Sequence, residues 1–163
     1  MNVKDAIRQT FGLSNAVLSA YIGDLTDAEL MQRANPGCNH VAWQLGHLIA
    51  SEVGLLNAIQ AGAGPELPAG FAEQHGKDQT GSNNPADFCT KQQYLELAEQ
   101  VHAATLKLLD DYPEADLDSP SPEHLRGMFP TMGMVFLLIA THPMMHAGQF
   151  VPVRRALGKP VVI

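Results

Sequence analysis

The sequence predicts an all-α fold: a bundle of four long helices, with long connections between the second and third helices and between the third and fourth. Three observations lead there. Apolar residues recur at three- and four-residue intervals in four separate stretches, Gly- and Pro-rich segments divide those stretches, and no segment has the strict alternation of a half-buried strand. At 163 residues, 45% hydrophobic and 17% charged, the chain fits one domain that buries an ordinary core without disulfide staples.

Val3, Ile7, Phe11, Leu13, Val17, Leu18 and Ile22 mark the first helix, which is expected to end near Gly23. Thr26-Asp27-Ala28-Glu29 then has the reciprocal pattern of a capping box, the start of a short helical turn. After the turn signal Asn35-Pro36-Gly37, Asn39 is a candidate cap for the second helix, which runs from about His40 to Ala61 through Val41, Trp43, Leu45, Leu48 and Ile49. Gly62 to Pro85 reads as a long loop, the kind that often forms a functional rim. Thr90 with Gln93 signals the start of the third helix, and Tyr94, Leu97, Val101, Thr105, Leu108 and Leu109 carry it to about Asp111. Pro113 to Pro130 contains four prolines and no apolar stripe, and reads as a second crossover. The last helix is expected over Thr131 to Leu157, with Gly158 as its left-handed stop and Pro160 beyond.

The formal charge of -7 and the absence of a clustered basic stripe argue against nucleic acid or an anionic membrane as partner. The first residues lack the basic and apolar pattern of a secretory signal, and no uninterrupted apolar run approaches the length of a membrane span. Cys38 and Cys89 are far apart and lack CxxC spacing, so reduced thiols and a cytoplasmic setting are expected.

His142 and His146, four residues apart, project from one face of a regular helix and make a recurrent metal half-site. His47, in a largely apolar stretch of the second helix beside Gly46, is the best-placed third ligand, and the glycine allows a close approach there. His40 lies on nearly the same face but about 10 Å away along the axis, too far to share the ion, so it is at most a pocket residue. Trp43 and Gln149 are the other candidates for lining the pocket; Gln149 follows His146 on the same face and is placed to support a ligand. Glu52 falls about 140° off the His47 direction and is left out of the site. Pro143 is the awkward residue: a helix restarting there would turn the two downstream imidazoles to different faces. Met128, Met132, Met134, Met144 and Met145 read mainly as core, and Arg154 and Arg155 as complements to the last helix's dipole.

The segment Asn39-His40-Val41-Ala42-Trp43-Gln44-Leu45-Gly46-His47-Leu48, followed far downstream by Thr141-His142-Pro143-Met144-Met145-His146-Ala147-Gly148-Gln149 and by Arg154-Arg155-Ala156-Leu157-Gly158-Lys159-Pro160, resembles the DinB-like superfamily over nearly the whole chain. The resemblance implies a four-helix bundle with three histidines around a zinc or nickel ion, which fall here on His47, His142 and His146. It also implies homodimers and, from relatives that use low-molecular-weight thiols, a thiol transferase acting on a small molecule. Three neutral imidazoles leave a divalent ion with open positions, which suits thiol activation or, as an alternative, metal-dependent hydrolysis. A non-enzymatic metal-binding or stress-response bundle is the competing class.

Overall fold

The computed structural model describes residues 1–163. Seven α-helices follow one another: α1 (Val3–Ile22), α2 (Asp27–Leu30), α3 (Val41–Ile59), α4 (Phe71–Gln74), α5 (Lys91–Asp111), α6 (Glu123–Arg126) and α7 (Met132–Ala156). Four of them are long, and there is no strand; a single isolated bridge pairs Pro120 with Thr131. The two connections expected to be irregular hold α4 and α6 together with short 3₁₀ turns.

Local chemistry sets the helix starts. Capping boxes open α1 (Asn2 with Asp5), α2 (Thr26 with Glu29) and α5 (Thr90 with Gln93), and Thr131 caps α7. The cap of α3 differs from the expected Asn39. It is His40, whose Nδ1 accepts the Trp43 amide at 2.9 Å while its Nε2 donates to the Ser82 carbonyl at 3.2 Å. Both ring nitrogens are thereby used, and His40 is fully buried. Gly158 adopts the left-handed φ of 69° expected just beyond α7.

Side-chain ties fix the directions of the long helices. Lys4 donates to the carbonyls of Asp110 and Tyr112, and Lys91 to those of Gly23 and Leu25, so α1 runs antiparallel to α5. Tyr112 packs edge-on against Phe136 at 5.3 Å, and Arg154 reaches Tyr21, which lays α7 parallel to α1. The long helices contact one another in the pairs α1–α7, α7–α3, α3–α5 and α5–α1. One apolar cluster of 28 buried residues lies among them, drawing on α1, α3, α5 and α7 and on residues of the connections such as Leu25, Phe71 of α4 and Leu117.

One expectation changes at α7, that for Arg154. This helix is long and apolar enough to cross a membrane by length and composition. In this fold Val135, Phe136, Ile139, Ala140, Ala147, Phe150 and Val153 are buried instead in the protein's own core. Arg154 is also 1% exposed: it donates to Asp24 Oδ1 at 2.5 Å and to the carbonyls of Tyr21 and Pro160 at 2.7 Å each. Its work is to fasten the end of α7 to the end of α1, a role the dipole reading did not include. Of the methionines, Met144 packs against the core, whereas Met128, Met134 and Met145 are exposed.

Candidate metal centre

α7 runs unbroken through Pro143 and Pro152. His142 and His146 therefore keep one face, and their Nε2 atoms stand 3.2 Å apart. Across the α3–α7 contact, the His47 ring centroid lies 5.4 Å from each of theirs. One nitrogen of each ring falls within 4.8 Å of the others, and no carboxylate or thiol belongs to the group.

The surrounding residues fix how these rings present themselves. Gln44 Nε2 donates to the Asn39 carbonyl at 2.9 Å, which orients the amide so that Oε1 accepts the Nδ1 proton of His146 at 2.8 Å. His146 is then the tautomer with its Nε2 lone pair facing His142 and His47. Trp43 stacks on His47 with centroids 4.9 Å apart and planes 6° from parallel, and its Nε1 donates to the Gly76 carbonyl at 3.1 Å. The loop after α3 also presses on the site. A Cβ on Gly46 would lie 2.0 Å from His75 Cδ2, so the glycine admits the buried ring of His75 against α3. His75 Nδ1 donates to the Phe71 carbonyl at 2.7 Å, and its Nε2 accepts from the Tyr94 hydroxyl at 2.8 Å, so this ring is fully used in structure.

Burial lowers the proton affinity of all three clustered histidines. His146 falls to about 3 and His142 to about 4, through desolvation first and then the neighbouring imidazoles. His47 is lowered too, by burial and by the nearby charge of Lys77. All are neutral at pH 7, the state in which imidazole binds a metal. Nitrogens about 2.0 to 2.1 Å from a tetrahedral ion lie roughly 3.4 Å from one another. The His142–His146 spacing already matches, and the His47 nitrogen lies within 4.8 Å of both. The donor set thus fits a borderline divalent ion, with the Gln44 contact as the outer support that such ligands usually have.

Of the sequence-derived site residues, His47, His142 and His146 are brought together, Trp43 lies against His47, and His40 is committed to capping. Gln149 is exposed. Gln44, three positions before His47, does the supporting that Gln149 was expected to do. Its position one turn from a candidate ligand was the available signal. Glu52 stays outside the cluster and is buried between α3 and α5, where Thr105 Oγ1 donates to it at 2.5 Å.

No curated protein and no solved structure matches the chain. A family model described as the DinB superfamily matches residues 11–150, a span that includes α3, α5, most of α7 and all three clustered histidines. The chain belongs to the DinB superfamily.

Proposed function

We propose that this protein holds one divalent transition-metal ion, zinc or nickel, through His47, His142 and His146, and uses it as a thiol transferase acting on a small molecule. The observation that carries the reading is the convergence of three neutral imidazoles, one of them held in its metal-facing tautomer by Gln44. An ion in this donor set supplies Lewis acidity at its open positions and lowers the pKa of a thiol or water that binds there. The chain's own part is to hold the imidazoles neutral, to orient His146 through Gln44, and to wall one side of the centre with the Trp43 indole.

The cluster contains no carboxylate to act as a general base. That favours a substrate which brings its own ionisable thiol, and ranks metal-dependent hydrolysis second. A non-enzymatic metal-binding or stress-response bundle is the further alternative. In the same reading the four long helices form one four-helix bundle and a single domain in a cytoplasmic setting. The chain pairs as a homodimer; exposed Met134, Leu137 and Met145, on one outward stripe of α7, support that pairing.

The test is metal analysis of the purified protein beside His47→Ala, His142→Ala and His146→Ala variants, followed by an assay of thiol addition to an activated electrophile with a panel of low-molecular-weight thiols. Stoichiometric metal in the parent, its loss in each variant, and thiol turnover that needs the metal are the expected results. Equal metal in parent and variants removes the centre. Metal without turnover leaves the binding bundle as the reading.

A further inference from the structure

A cavity of about 400 Å³ opens between α1, α3 and α5, and none of the three clustered histidines lines it. Most of its wall is apolar, formed by residues such as Leu18, Ile22, Leu45, Leu48, Ile49 and Leu106. Asn15, Ser19, Glu52, Glu99 and His102 interrupt this wall, and two of them leave an acceptor short of a partner. Glu52 is 7% exposed; Thr105 satisfies its Oε1, while Oε2 has only His102 Nε2 at 3.5 Å, long for a hydrogen bond. Asn15 donates through Nδ2 to the Phe11 carbonyl at 3.0 Å, which fixes the amide and leaves Oδ1 as the one buried side-chain atom without a partner.

Unpartnered buried acceptors are rare in folded proteins and point to something that completes them. No lysine or arginine lines the cavity, whereas Glu99 adds a second carboxylate to its lining. Burial holds the His102 imidazole near a pKa of about 4, so it is neutral at pH 7 and brings no balancing cation. Apolar walls carrying a buried carboxyl and no basic residue are complementary to an apolar body with a donor-rich cationic head.

We propose that this cavity binds a small amphipathic amine, its alkyl or aryl body against the leucines and its ammonium donating to Glu52 Oε2. The site is separate from the metal centre, although Pro143, next to His142, forms part of its wall. Burial, partly offset by the Thr105 hydrogen bond, raises the Glu52 carboxyl to about 7, and a cation beside it would favour the ionised form.

The probe is n-octylamine, titrated calorimetrically into the full chain at about pH 8, with n-octanol and octanoate as the neutral and anionic comparators. Octylamine should bind saturably at one site, at least about tenfold more tightly than either comparator. Glu52→Gln should remove that preference, and Ala98→Trp, which fills the cavity, should weaken the binding of octylamine by at least about tenfold without changing metal content. His146→Ala should bind octylamine as the parent does, which separates this site from amine coordination at the histidine cluster. Absence of saturable binding, preference for octanoate, survival of octylamine binding in Ala98→Trp, or its loss in His146→Ala each overturns the proposal. So does displacement of octylamine by dimerisation, which would assign the cavity to a second copy of the chain.

Discussion

Gln44 on α3 accepts the Nδ1 proton of His146 on α7 at 2.8 Å, and the Asn39 carbonyl holds the amide in the only orientation that allows it. Replacing Gln44 by Leu keeps the volume but frees the imidazole to take either tautomer. Metal affinity should then fall by roughly 10- to 100-fold with the helical content intact. Competition with a chromophoric chelator measures it, and an unchanged affinity would mean that Gln44 does not orient His146.

Gly46→Ala places a methyl group inside the ring of His75. The ring is held at both nitrogens, so the loop between α3 and α5 must shift. A loss of about 1–3 kcal/mol is expected, read by denaturant unfolding. Gly54→Ala on the same helix meets nothing within 4 Å and should instead stabilise by about 0.5–1 kcal/mol. If the two substitutions behave alike, close approach is not the reason for glycine at position 46.

Arg154→Met removes the guanidinium that joins Asp24 to the carbonyls of Tyr21 and Pro160. Two backbone acceptors lose a charged donor, at a cost of roughly 3 kcal/mol. Arg155→Met, on an exposed neighbour, should be near neutral. Equal melting temperatures for these two variants would return Arg154 to the role of a surface dipole partner.

Glu52 gives a pH signature with a definite sign. Its carboxyl is held at about 7 in the fold, against an ordinary value of 4.5, because desolvation outweighs the Thr105 hydrogen bond. The stability that it contributes is fully present below pH 4.5 and is lost as pH rises through about 7, since unfolding releases the proton over that window. Half-buried His102, lowered from 6.5 to about 4, has the opposite slope between those values, so the comparison is made against Glu52→Gln. The stability of the variant relative to the parent should grow by roughly 3 kcal/mol from pH 4.5 to above 7. A flat difference across that range would show that the carboxyl is not desolvated.

The long helices were legible because their apolar stripes are local, and the capping signals read at Thr26 and Thr90 act within one turn of themselves. His142 and His146 were legible as a pair for the same reason, and the unbroken helix through Pro143 preserves their spacing. The residues misread are those whose partners lie far along the chain. His40 is held by Ser82 as well as by its own helix, Gln44 by His146, and Arg154 by Asp24, 130 positions away. The sequence around Arg154 and Arg155 does not distinguish the buried arginine from the exposed one. Burial separates them only once α1 and α7 lie side by side.

The stacking of Trp43 on His47 gives the protein a built-in optical gauge. This is the chain's single tryptophan, so all of its indole emission originates against one ring of the candidate centre. A paramagnetic ion bound there should darken that emission, and closed-shell zinc should leave it bright. Followed during unfolding beside far-ultraviolet dichroism, the same signal tells whether the histidine cluster loosens before the helices melt or together with them.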